Sequence, residues 1–315
     1  MSRLGIVAGV LSGVLFLGVS ALGQGEFQGH GQVISTVLPR NEGDHAPVFS
    51  SEGARLKVNG KDVAVTRIVP LTGAQDQLEL VVLIDGSARN SLGQQFEEIT
   101  RFINGLPPNV RAGIGYMQNG RAVMAGALSA DHAEVLRGLR LPGGSPGSNG
   151  SPYFCLSDLA KGWPSNDPDA RREVLMVTDG VDGYNRRFDP QDPYVLSAIA
   201  DAVRARLVVY SIYWRGQGMA DSTLFANSAG QSLLQMVAEA TGGKSFWQGT
   251  GNPVSFEPFL DELTRRLGNQ YELSFVMPFN GKPQVYGMKL KFSVPGSTVD
   301  SPQQVFVVRP GSMQN

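Results

Sequence analysis

Leu78-Glu79-Leu80-Val81-Val82-Leu83-Ile84-Asp85-Gly86-Ser87-Ala88-Arg89 decides the fold. The run turns continuously apolar towards its end, the pattern of a strand covered on both faces at the centre of a parallel sheet. It stops at an acid followed by glycine. Leu92, Phe96, Ile99, Phe102 and Ile103 then recur at helical spacing, and Ser91 with Gln94 three residues on resembles a capping box. A helix is expected to follow the strand directly.

The same arrangement returns further along. Glu173-Val174-Leu175-Met176-Val177 is a second buried strand running into Thr178-Asp179-Gly180, and Val195, Leu196, Ile199, Ala200 and Val203 mark the helix after it. Arg206 to Ile212 reads as a strand. Leu233, Leu234, Met236 and Val237 read as a helix, and Phe256, Phe259, Leu260, Leu263 and Leu267 as the last one. Between the two acid–glycine strands, Ala112 to Met117 and Ala122 to Ala127 flank Asn119-Gly120, a strong hairpin signal. Asp131 to Leu139 reads as a short helix, and Pro142 to Pro152 as a long Gly/Ser/Pro/Asn loop. Strands alternating with helices imply right-handed crossovers. The expected fold is α/β: a doubly wound, mostly parallel sheet with helices on both faces and one antiparallel edge strand.

The flanks read differently. Arg55-Leu56-Lys57-Val58 and Val63-Ala64-Val65-Thr66 alternate around Asn59-Gly60, another hairpin. From Gln270 the pattern is strands only: Tyr271 to Met277, Gln284 to Val294 and Gln304 to Val308. Hairpin and tail are expected to pair as a small β unit. Gln24 to Ser50 is polar, Gly- and His-containing and without period, which predicts an irregular lead-in. Before it, Arg3 precedes an uncharged stretch from Leu4 to Leu22, and Ala21-Leu22-Gly23 offers a cleavage point ahead of Gln24. That is an export signal, with an uncleaved anchor as the alternative. The expected organisation is a signal over 1–23, a lead-in over 24–50, a hairpin over 51–75, the α/β domain over 76–268 and a β extension over 269–315. Once the signal is removed, no membrane span remains, and the protein is expected in the periplasm or secreted.

Composition narrows the chemistry. Among 315 residues, 27 Lys+Arg against 28 Asp+Glu give a net charge of -1, which excludes a chain-wide basic footprint for nucleic acid. Cys155 is the single cysteine, so no disulfide forms within the chain and the thiol reads as a small buried hydrophobe. No histidine (His30, His45, His132) ends a strand, and P-loop and dinucleotide fingerprints are absent. The chain reads as a binding protein rather than an enzyme. The one hydrolytic alternative is metal-assisted chemistry on Asp85 and Asp179.

In their order, Asp85-Gly86-Ser87-Ala88-Arg89, the loop with Asn149-Gly150-Ser151, and Thr178-Asp179-Gly180 resemble a von Willebrand factor type A (VWA) domain over roughly Leu78 to Gly268. The hairpin, leader and β tail further resemble a secreted bacterial subfamily of it. The resemblance implies a metal-ion-dependent adhesion site. Asp85 and Ser87 match its first two ligands, Ser151 its loop threonine and Asp179 its distal aspartate. The implied ion is Mg2+, or Mn2+ or Ca2+, and a partner protein's acidic side chain would complete its octahedron. Arg89 stands where the pattern calls for serine. At about 5 Å from a dication its charge would be repelled by roughly 7 kcal/mol at an effective dielectric of 20. The alternative is that Arg89 pairs with Asp85 or Asp179 and closes the site, leaving a metal-independent scaffold of the cell envelope. Asp182 either extends an acidic rim towards a partner or is a solvated loop acid. Trp214, after the strand ending near Ile212, is either an exposed partner contact or tucked in.

Overall fold

The computed structural model describes residues 27–41, 54–73, 76–145, 147–185, 188–216, 223–279, 281–292 and 295–309; the expected signal at 1–23 lies outside them. The strands are β1 (Phe27–Pro39), β2 (Arg55–Val58), β3 (Lys61–Val63), β4 (Val65–Pro70), β5 (Leu78–Asp85), β6 (Val110–Gln118) and β7 (Arg121–Met124). They continue with β8 (Arg171–Thr178), β9 (Leu207–Tyr213), β10 (Ser245–Phe246), β11 (Gln270–Phe279), β12 (Gln284–Lys291), β13 (Ser297–Asp300) and β14 (Gln304–Val308). The helices are α1 (Phe96–Asn104), α2 (His132–Leu136), α3 (Pro152–Lys161), α4 (Pro193–Arg204), α5 (Leu224–Thr241) and α6 (Glu257–Leu267).

A six-stranded sheet runs in the order β10-β9-β8-β5-β6-β7. All its pairings are parallel except β6 with β7, so the antiparallel edge strand is where Asn119-Gly120 places it. Asn119 and Gly120 sit at φ 50° and 75°, as a two-residue hairpin turn of the primed type requires. Every residue of β5 is buried. Leu80, Val82 and Ile84 face a core shared with α1 and α6, while Val81 and Leu83 face one shared with α3, α4 and α5. That two-sided burial is why the run lacks polar alternation. Chain order reverses between β5 and β8, which makes the carboxyl ends of these two strands the switch point of the sheet.

The second sheet has eight strands in the order β3-β2-β12-β14-β1-β11-β4, with β13 also pairing β1. The hairpin and tail do pair, through β2 with β12 and β4 with β11. Two expectations are corrected here. The 24–50 lead-in is not irregular over its described part: β1 is a 13-residue strand pairing β11 from Phe27↔Phe279 to Thr36↔Gln270. Gly29 and Gly31 made it read as a loop, yet they make room for rings. A Cβ on Gly31 would lie 2.2 Å from Cζ of Phe275, its cross-strand partner, so the ring fills the place of a side chain. The hairpin's second arm is also divided: β3 returns along β2, while β4 leaves to pair with β11.

A third difference lies beside the switch point. The chain after β5 enters a 3₁₀ turn over Asn90–Gln95 before α1, and neither that turn nor α1 has a side-chain cap. Ser91 and Gln94 form no capping box.

The two sheets meet around Arg171 at the start of β8. Its guanidinium donates to Asp76 Oδ2 (2.5 Å), the Leu267 carbonyl (3.0 Å) and Gln270 Oε1, and lies 3.4 Å from Glu173 Oε1. Gln270, in β11, donates onward to the Tyr210 hydroxyl in β9 at 3.0 Å. Burial pushes the Glu173 carboxyl up to about 7, against the downward pull of Arg171.

Candidate functional site at the sheet switch point

Asp85 is the hub. Gly86 lies so close to β6 that a Cβ there would meet the Met117 carbonyl oxygen at 2.3 Å. With no Cβ in the way, the chain turns back sharply. Ser87 therefore gives both its backbone N–H and its hydroxyl to Asp85 Oδ1, each at 2.7 Å. Asp85 Oδ2 accepts from Asn149 Nδ2 at 3.0 Å and from Thr178 Oγ1 at 2.5 Å. The three loops expected to converge do so on this one carboxylate, which is 1% exposed. Burial raises the Asp85 carboxyl above its ordinary range, while the Thr178, Ser87 and Asn149 hydrogen bonds pull it down.

Asn149 is placed by the β6–β7 hairpin, since Asn119 and Gly120 donate their N–H groups to the Ser148 and Asn149 carbonyls at 2.8 Å. Ser151 is fully buried and caps α3, accepting from the Tyr153 N–H at 3.3 Å. Asp179 accepts from the Val181 N–H on Oδ1 and from the Gly216 N–H on Oδ2, both at 2.9 Å. Tyr153 stitches α3 to this strand end by donating to the Gly180 carbonyl at 2.8 Å. Its hydroxyl is held well above the ordinary phenol range, first by burial and then by the charges of Asp182, Asp179 and Asp192.

The remaining expected residues lie elsewhere. Arg89 donates Nε–H to the Gly216 carbonyl at 2.9 Å. Among the described residues it forms no ion pair with Asp85 or Asp179, so a guanidinium plug is corrected. Asp182 is 1% exposed and its Oδ1 accepts from the Tyr184 and Asn185 N–H groups. It is a turn-forming acid, not a rim. Burial raises its carboxyl; the Tyr184 and Asn185 N–H groups and the Ser151 hydroxyl lower it, though Oδ2 has no well-formed hydrogen bond. Trp214 is buried edge-on against Phe256 with ring centroids 5.3 Å apart, which removes it as an exposed contact. Thr178, Asn149 and Gly216 carry much of the geometry and were assigned no role from sequence. Thr178 had a signal, a hydroxyl at a strand end beside an acid-terminated strand. The part of Gly216 is played by its backbone and leaves none.

The donor set does not fit a divalent cation. A carboxylate has about four acceptor sites, and Asp85 receives four donors. Two of these are N–H groups, from Asn149 and the Ser87 backbone, which cannot ligate a metal. Ser151 Oγ accepts from the Tyr153 N–H as the cap of α3, and its hydroxyl faces Asp182. Among the described residues, no group of three or more His, Cys, Asp or Glu side chains is placed to hold an ion.

No protein-family model matches the chain, and no curated protein does. Solved structures do. An aerotolerance-related membrane protein from Bacteroides fragilis is 12% identical, with 60% of this chain and 98% of that one covered and a TM-score of 0.42. BatB from Bacteroides thetaiotaomicron is 12% identical, with 60% and 97% covered and a TM-score of 0.41. The VWA domain of SpRpn10 is 12% identical, with 61% and 98% covered and a TM-score of 0.38. At the switch point of the sheet, Asp85 is satisfied by donors from within the protein.

Proposed function

We propose that the chain is an exported envelope protein whose VWA-like unit binds a partner protein without metal and without chemistry. The uncharged stretch from Leu4 to Leu22 supports export. Among the described residues, no helix is long and apolar enough to cross a membrane.

One observation carries the binding reading: two groups of partly exposed rings stand at the same rim of the sheet as the saturated Asp85. Tyr184 and Phe225 are each 69% exposed and Tyr194 52%. Phe154 packs against Tyr184 and Tyr194 with centroids 5.3 and 5.0 Å apart, and Phe188 against Phe225 at 5.4 Å. Phe154, Tyr194 and Phe225 stand in the first turns of α3, α4 and α5, at the carboxyl-end rim of the sheet. Grouped exposed aromatics at a rim are a protein-contact surface. With no ion in the reading, the partner's acidic side chain loses its anchor, and ring contacts supply the affinity. Asp85 spends its acceptor capacity on hydrogen bonds inside the protein and Asp179 accepts two backbone N–H groups, which speaks against acid–base work on a substrate.

The test is retention of envelope proteins on immobilised wild-type chain and on the Tyr184→Ala/Phe225→Ala variant, with and without EDTA. The expected result is a band that survives EDTA and disappears with the variant. A band that needs magnesium, or one indifferent to the rings, overturns the reading.

A further inference from the structure

Between β12 and β13 the eight-stranded sheet comes apart. β14 fills the space between β1 and β12 as far as Gln304↔Gly287. Beyond it, β13 takes the same edge of β1 from Thr36↔Asp300 to Pro39↔Ser297, while β12 runs on along β2 from Met288↔Val58 to Lys291↔Arg55. β12 and β13 do not pair with each other. Alternation along each strand fixes which backbone groups face the gap. The Gly287 carbonyl accepts from Asn59 on the β2 side, and Met288 N–H goes the other way, to the Gln303 carbonyl at 2.7 Å. Two residues on, Leu290 therefore turns its N–H and C=O away from β2. Just before β13 the Gly296 carbonyl accepts from Arg40 on the β1 side, so by alternation Val299 faces away from β1.

Leu290 and Val299 both line a cleft of about 1120 Å³, whose far wall is the end of α5 and the segment through β10 to Trp247. The volume exceeds the roughly 300–1,000 Å³ of small-molecule sites. Four cations line it, Lys57, Lys244, Lys289 and Arg266, against two acids, Glu239 and Asp300. Asp300 is paired with Arg266 at 2.7 Å and Glu239 is hydrogen-bonded by Gln235 and Gln303, while Arg266 and Lys244 also pair with Glu262 at 3.0 and 3.5 Å. Lys289 lies opposite Lys57 in the register, a like-charge cross-strand pair that is unfavourable alone. Lys57 has Asp62 at 3.6 Å; Lys289 has no ion pair among the described residues.

We propose that this cleft takes an extended acidic segment of a protein partner, added as a strand along Leu290 of β12 and Val299 of β13. Backbone pairing supplies the grip. Glutamate or aspartate at alternate positions meets Lys57 and Lys289, and the residues between them rest on the face of Leu290. The cleft lies beside β10, not at the rim that carries Asp85, so this surface is independent of the ring cluster.

The experiment is fluorescence anisotropy of a labelled peptide of about eight residues alternating valine and glutamate, titrated with the full chain. A valine–lysine peptide and a backbone N-methylated valine–glutamate peptide run alongside. Saturable binding of the first only is expected, weakened roughly tenfold by Lys289→Glu and unchanged by Tyr184→Ala/Phe225→Ala. Equal binding of the N-methylated peptide overturns strand addition, and equal binding to wild type and Lys289→Glu overturns the choice of an acidic partner. No binding at millimolar peptide overturns the whole proposal. Sedimentation showing self-association that Lys289→Glu abolishes, with no peptide bound, assigns the cleft to a second copy and also overturns it.

Discussion

Arg89 reaches Asp179 through a single residue: the Gly216 carbonyl accepts from Arg89 Nε and the Gly216 N–H donates to Asp179 Oδ2, both at 2.9 Å. Asp179 is thereby tied to a cation it is not paired with, and the segment after β9 is fixed over the switch point.

Replacing Arg89 with serine restores the residue type that a metal site of this kind calls for, yet it leaves Asp85 with its four donors. Thermal melts of wild type and Arg89→Ser with and without millimolar magnesium are expected to coincide within each pair. The variant itself should lose about 1 kcal/mol from the broken hydrogen bond. A magnesium-dependent rise in Tm for either protein contradicts the saturated-carboxylate account.

The hub should be costly to alter. Asp85→Asn turns one acceptor oxygen into a donor facing donors, and a loss of roughly 2–4 kcal/mol in urea unfolding is expected. Thr178→Val removes one donor and should cost less, about 1 kcal/mol. Equal losses would mean the four hydrogen bonds do not act through Asp85.

Glu173 should make the protein more stable in mild acid than in mild base. Its folded value, pushed up to about 7, lies above the ordinary 4.5. Ionisation is therefore harder in the folded chain, and the penalty develops as pH rises from about 4.5 through about 7. Its size above that window is on the order of 3 kcal/mol. Glu173→Gln should raise Tm at pH values above neutrality and have little effect near pH 5. Calorimetry across that range reads the difference, and a gain independent of pH would assign the effect to packing.

Gly31→Ala should destabilise by roughly 1–3 kcal/mol, because its Cβ meets a locked core ring. Combining it with Phe275→Leu, which shortens the opposing side chain, should cost less than the sum of the two single changes. Strict additivity would show that Gly31 and Phe275 do not share the space.

What the residues alone disclose follows from how local the physics is. β5 and β8 are legible because burial on two faces leaves an unbroken apolar run, and Asn119-Gly120 names its turn because both residues adopt positive φ at little cost. β1 is opaque for the opposite reason. Gly29 and Gly31 carry a local signal for irregularity, and the rings that reverse it come from β11, far along the chain. Ser91 and Gln94 have the spacing of a cap, but the tight turn after Arg89 leaves them no helix start to serve. At the site, Asp85, Ser87, Ser151 and Asp179 are found because they end strands or open a helix. Which oxygens are free to act is not readable, since Asn149 reaches Asp85 only once the β6–β7 hairpin has fixed its loop.

The pairing of β1 with β11 also sets an order of events. Gln32 donates to Glu272 across 240 positions of chain, and the whole six-stranded parallel-sheet unit lies between them. As the polypeptide is made from its amino end, β1 emerges early and must wait, its edges bare, until the parallel sheet has formed and β11 follows. Such distant closure is slow, and an unpartnered strand is a template for wrong association. A helper that shields the leading segment during synthesis or transit would act on β1 first.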